Sequence, residues 1–201
     1  MLERRVSVAG RAVIVTATVA VLTGVPARSE GWQALWLVAA FGGLAAVLAV
    51  ERRARVLTPR GVLVPAAALL VVAVVAPPIG SRDVWSYAMY GRIAAVHHAD
   101  PYRVAPSAFP HDPLLSRVSP VWRDTRSVYG PVFTWLSALG MRVVGNSALL
   151  ARMFFQVLAA VAAGVAMWVL WGETHDAAAM ALVGLNPLVL VAVVNGGHSD
   201  A

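Results

Sequence analysis

Long apolar blocks alternate with charged connections in this chain, and a single polar stretch, residues 80–128, breaks the series. The apolar blocks cover roughly residues 12–25, 32–50, 61–79, 151–171 and 177–194. Runs of about 20 apolar residues are the length a helix needs to cross a bilayer, and inside hydrocarbon such a helix satisfies its own backbone. Hydrophobic residues make up 59% of the chain and charged residues 13%. Soluble domains carry about twice that charged share. The reading is an all-α, polytopic transmembrane bundle with a large extracytoplasmic loop carrying short helices. The absence of cysteine excludes disulfides.

All 16 basic residues are arginines. A net charge of +6 invites nucleic acid as a partner, but the arginines flank apolar blocks and no nucleic-acid motif accompanies them. They read as topology signals. Arg4, Arg5 and Arg11 precede the first block, and Arg52, Arg53, Arg55 and Arg60 separate the second from the third. Only Arg28 lies between the first and second. Both arginine-rich ends are therefore expected in the cytoplasm of a plasma-membrane protein, which puts residues 80–128 outside. The basic start and apolar run resemble a signal peptide, but "VPARSEGW" is a poor cleavage site and more apolar blocks follow. The first block is short and must borrow flanking residues or tilt.

Residues 80–128 hold Pro101, Pro106, Pro110, Pro113 and Pro120, with six arginines, four aspartates and three histidines. Such a stretch cannot lie in hydrocarbon and is expected to be a structured loop. Residues 130–144 follow, with Pro131 near the start and only a dozen apolar positions before Arg142. That length favours a helix on the outer surface over a span, which leaves five spans and an outer loop of about 80–150. Gly42, Gly43 and Gly164 are expected to allow close helix packing.

Within "PPIGSRDVWSYAMYGR", Pro77 and Pro78 stop the third helix, and an arginine and an aspartate come directly after. If residues 82–98 are helical, Asp83, Tyr87, Tyr90 and Ala94 share a face, with His97 or His98 one turn beyond. A carboxylate at the membrane surface, half shielded by aromatics, is placed to take a proton from a hydroxyl. The competing role for Asp83 is to cap this helix.

The segments "SRDVWSYAMYGR", "ADPYRV", "VYGPVFTWLSAL" and "LNPLVLVAVVNGGHSDA", in that order and each at an expected outer position, resemble the GT-C membrane glycosyltransferases. The chain looks most like the actinobacterial polyprenol-phosphate-mannose-dependent α-1,6-mannosyltransferases. The resemblance covers residues 61–201, and more weakly the two helices and arginine-rich loop of residues 1–60. It implies a GT-C-like catalytic module whose later spans are missing here, so the chain is expected to be the N-terminal part of a longer enzyme, with little activity by itself. It implies that Asp83 is the general base, that Tyr129-Gly130-Pro131 begins a surface helix, and that Asn195, His198 and Asp200 form a second polar cluster. The implied donor is a mannosyl or other sugar on a polyprenyl phosphate. The implied acceptor is an envelope glycan or glycolipid, and the reaction inverts configuration.

Arginine pairs with phosphate through two parallel hydrogen bonds, which makes Arg82 and Arg92 candidates for the leaving group, followed by Arg103, Arg117, Arg123 and Arg126. Asp100 and Tyr102 are candidates for the acceptor groove, although Asp-Pro is also an ordinary turn starter. Tyr87, Tyr90, Tyr102 and Tyr129 can stack on sugars or belong to an interfacial aromatic belt, and Trp85, Trp122 and Trp135 are assigned to that belt or to loop packing. His97, His98, His111 and Asp112 fit no zinc spacing and read as solvated surface. No cofactor is expected, with a divalent ion left open. His198 and Asp200, at i and i+2, need a loop to face one site. A second class, a transporter half or an assembly partner, would place ionisable groups within its spans, and here the spans are almost free of charge.

Overall fold

A computed structural model describes residues 1–23 and 30–197. Its helices are α1 (Leu2–Thr23), α2 (Glu30–Ala54), α3 (Pro59–Val75), α4 (Asp83–Ala95), α5 (Pro131–Val144), α6 (Ala148–Thr174) and α7 (Ala177–Gly184), followed by a π-helical turn at Val189–Asn195. Three short 3-10 turns lie between α4 and α5. The described residues contain no strand.

Local chemistry sets several of these boundaries. Thr58 caps α3 by accepting the Gly61 N–H, and Pro59 takes the first helical position, where a missing donor does no harm. Ser147 caps α6 through the Leu150 N–H, and Asp176 caps α7 through the Ala178 N–H. Asn186-Pro187 breaks the last apolar block, so α7 and the π-helical turn form a pair bent by 55°. Asn186 patches the break: its amide donates to Leu182 O, and its Oδ1 accepts the Leu188 N–H.

Among the described residues three helices are long and apolar enough to cross a membrane, α1, α2 and α6, and the bent pair makes a fourth if it counts as one span. The expected fifth, α3, is a shorter apolar helix. It has 17 residues, about 25 Å at 1.5 Å per residue, the short end of what crosses a hydrocarbon core of about 30 Å. The sequence block ran to Ile79, but the helix stops at Val75 ahead of the two prolines. Helix α1 does borrow upstream residues, starting at Leu2. Helix α5 is a 14-residue helix beginning at Pro131, close to the expected 130–144.

Two cores result. One joins α1, α2, α3, α6 and α7 through Ile14, Val47, Leu69, Met167 and Leu185. The other surrounds α4, where Val84, Tyr87, Met89 and Ile93 pack with Leu114, Val118, Met141 and Phe155. Every residue of α4 from Val84 to Ile93 is buried, because the loop, α5 and α6 close around it. Such a helix has no polar face. Close approach of α1 and α2 occurs at Gly43, where a Cβ would lie 2.9 Å from Gly10 O. Gly42 and Gly164 face open space instead and do not serve the packing expected of them. Helices α4 and α5 cross at Gly91, where a Cβ would meet Ser137 O at 2.5 Å.

Gly91→Ala is expected to cost about 1–3 kcal/mol through this backbone collision, read as a lowered midpoint in thermal unfolding of the detergent-purified protein. Gly42→Ala serves as the control and should leave the midpoint in place.

Candidate functional site

Helix α3 ends where ordinary helix chemistry runs out. Pro77 and Pro78 have no N–H to offer the carbonyls of Ala73 and Val74, four residues back. Side chains from elsewhere supply the donors. Asn195 Nδ2 donates to Ala73 O, Ala76 O and Pro77 O at 3.0–3.1 Å. Gln156 Nε2 donates to Ala73 O, Ala76 O and Asn195 O. Arg152 donates to Val74 O, Val75 O and Ala76 O, and to Gln156 Oε1. Asn195 Oδ1 also accepts the Ile79 N–H at 2.9 Å, so one amide grips both the helix end and the strand of chain leaving it. Gly80, at φ +78, then turns the chain in the left-handed region into α4.

Asp83 is the first residue of α4, with Arg82 at the cap position, and its N–H donates to Ser81 Oγ. Both Asp83 and Arg82 line a cleft of about 610 Å³ with Ser81, Ser119, Trp122 and Val191. Asp83 is half-buried and Arg82 exposed. The Arg82 guanidinium donates to Ser116 O at 3.3 Å and has no carboxylate partner among the described residues. The cleft thus joins a carboxylate, an unpaired cation and an indole at one end of the bundle.

The other expected residues divide. Tyr87 is buried, packed edge-on against Tyr129 and Phe133 at centroid distances of 4.8 and 5.1 Å. Tyr90 is buried and donates to Thr125 O at 3.0 Å, and burial raises its pKa. Neither lines the cleft with Asp83, although the three share a helix face. Tyr129 is half-buried in the same aromatic cluster, and Tyr102 O–H bridges Tyr129 O and Thr134 Oγ1, both at 2.9 Å. Asp100 accepts the Tyr102 N–H at 2.9 Å and pairs with Arg103, the turn-starting role that Asp-Pro allows. His198 and Asp200 lie outside the described residues.

Arg92 is not at the cleft. It is 2% exposed and pairs with Asp112, its Nε donating to both carboxylate oxygens at 2.8 and 3.0 Å. Its other nitrogens donate to Gly145 O and Asn146 Oδ1, at the turn between α5 and α6. His97 Nε2 donates to Asp112 Oδ2 at 2.7 Å while its ring stacks on Phe109. His97 and Asp112, expected on a solvated surface, are therefore partners in a buried network. Burial alone would raise the Asp112 pKa, but the Leu114 N–H, Arg92 and His97 outweigh it and hold it below the ordinary carboxylate value. No group of three metal-ligating side chains occurs among the described residues. Arg152 and Gln156 were not anticipated, and a charge and an amide within an apolar block were the signal for them.

The whole chain, residues 1–201, matches the family model "Alpha-(1->6)-mannopyranosyltransferase, N-terminal domain". It is similar to alpha-(1->6)-mannopyranosyltransferase A of Mycobacterium tuberculosis, 33% identical over 128 residues that cover 60% of this chain and 24% of that protein. It is also similar to the protein of the same description from Corynebacterium glutamicum, at 29% over 60% of this chain and 25% of that protein. A probable alpha-(1->6)-mannopyranosyltransferase of Mycolicibacterium smegmatis is 32% identical over 60% of this chain and 23% of its own length. The chain thus spans about a quarter of the length of the curated relatives it matches. No solved structure matches it.

Asp112→Asn leaves the Arg92 charge buried without a counter-ion, and is expected to cost about 3–5 kcal/mol at neutral pH. Because the folded pKa is depressed, the carboxylate's contribution is present above its unfolded pKa of about 4 and is lost as pH falls through the lower folded value. Unfolding midpoints of wild type and variant should converge in that acid range and separate above it.

Proposed function

Since the chain belongs to the alpha-(1->6)-mannopyranosyltransferase family, we propose that it takes part in mannosyl transfer from a polyprenyl-phosphate sugar to an extracytoplasmic glycan or glycolipid, with Asp83 as general base. The carrying observation is the Asp83 cleft: a carboxylate meets an arginine that has no carboxylate partner among the described residues. The end of the bundle bearing α4 then faces away from the cytoplasm. Arginine distribution supports this, since the opposite end carries Arg4, Arg5, Arg11, Arg52, Arg53 and Arg55.

In this reading the acceptor hydroxyl lies against the Asp83 carboxylate. Its oxygen attacks the anomeric carbon as the carbon–oxygen bond to phosphate breaks. The polyprenyl phosphate departs with the bonding electrons, and the hydroxyl proton passes to Asp83. Charge builds on the departing phosphate oxygen, within reach of a guanidinium at Arg82. The transition state has oxocarbenium character. A single displacement inverts the anomeric centre, so a β-linked donor yields an α linkage. Trp122, on the cleft wall, offers an apolar ring to a sugar face. Tyr87, Tyr90 and Arg92 act indirectly in this scheme, by holding α4 in place.

Asp83→Asn keeps the shape and removes the base. In membranes containing the protein as the cell makes it, supplied with labelled polyprenyl-phosphate mannose, the transfer rate should fall at least about 100-fold. Protein level and unfolding midpoint should not change. A variant within a factor of three of wild type would remove Asp83 from the chemistry.

A further inference from the structure

A second, smaller cavity of about 240 Å³ lies where α3 ends and α6 begins, between Pro77, Pro78, Trp85, Arg117, Leu149 and Arg152. It shares no lining residue with the Asp83 cleft. Two guanidinium groups border it, and neither pairs with a carboxylate among the described residues. Arg117 lies over the Trp85 ring, its Cζ 5.0 Å from the centroid, and its side chain has no hydrogen-bond acceptor among the described residues. Arg152 spends its two terminal nitrogens on the α3 carbonyls and Gln156, which fixes its position and leaves its charge uncompensated. Two like charges held around so small a space call for an anion from outside the chain.

The rim indicates what carries that anion. Leu149, on the cavity wall, is 54% exposed. Below it the exposed residues Leu150, Val157, Val161 and Val165 continue down α6 at helical spacing, and α6 is one of the helices long enough to cross a membrane. An anionic head at the arginines with an apolar chain along this flank satisfies both halves of the surface. We propose that the cavity binds the phosphate of a lipid, separately from the Asp83 cleft. Guanidinium donors match phosphate oxygens in geometry, and the flank gives a hydrocarbon tail an apolar surface to lie on.

A phospholipid headgroup and a polyprenyl phosphate offer the same chemistry, and the experiment separates them. Purified protein in neutral detergent is titrated with dioleoylphosphatidylglycerol, decaprenyl phosphate and uncharged dioleoylglycerol, with bound lipid counted by native mass spectrometry. At least one phosphate lipid should bind tenfold or more tighter than dioleoylglycerol, and the tighter of the two identifies the source. Arg117→Ala changes an exposed side chain and should, without loss of fold, abolish the preference for dioleoylphosphatidylglycerol or, where decaprenyl phosphate is the tighter lipid, lower the number of decaprenyl phosphates bound by one, the Asp83 cleft keeping its own. Arg152→Gln should weaken binding at the smaller cavity also, but its folding is at risk, so Arg117→Ala decides. Equal binding of all three lipids, or an Arg117→Ala protein that binds like wild type, overturns the proposal. The readout is bound lipid and not transfer, so failure of the catalytic reading leaves this result intact.

Discussion

Two prolines deny α3 the amides that would close its last turn, and the carbonyls they leave behind lie in an apolar bundle. An unbonded carbonyl there costs about 1–3 kcal/mol, more in hydrocarbon than in water. Asn195, Gln156 and Arg152 answer those carbonyls from two other elements. The result is more than satisfied backbone. Because Asn195 also receives the Ile79 N–H, the chain between α3 and α4 is fixed relative to α6 and the π-helical turn. Asp83, four residues further on, inherits that position. A cleft on this bundle is thus built from the far end of the chain as much as from its own loop.

The loop itself is held by a different device. Arg92 and Asp112 are both buried, and a buried pair contributes little net stability beyond what its removal would cost. Its value here is geometric. Arg92 ties α4 to the turn at Gly145 and Asn146, while Asp112 ties the loop to α4 and, through His97, to the stacked Phe109 ring. The loop that supplies Ser119 and Trp122 to the cleft is fastened a few residues away from them. The two devices place the two walls: one sets Arg82 and Asp83, the other sets the loop opposite.

Sequence reasoning reached the elements whose cause is local. Apolar blocks, the proline stop, the short helix after Tyr129-Gly130-Pro131 and the arginine-rich connection all report on nearby residues. It did not reach contacts made between residues distant in the chain. Helical spacing correctly put Asp83, Tyr87 and Tyr90 on one face, but spacing does not say what covers that face. Folding the loop over α4 buried both tyrosines and left only the first residue at the cleft. Arg92 looked available for phosphate because its partner is 20 residues away, across several prolines. Arg152 and Gln156 are some 80 residues from the carbonyls they serve.

What the functional account requires above all is that Asp83 stands on the side of the membrane away from the cytoplasm. The chain has no cysteine, so Asp83→Cys introduces a unique thiol in a background that needs no other change. In sealed vesicles of known orientation, a membrane-impermeant maleimide should label that thiol only from the extracytoplasmic side. Labelling confined to the cytoplasmic side would put the cleft on the wrong face of the bilayer and contradict the account.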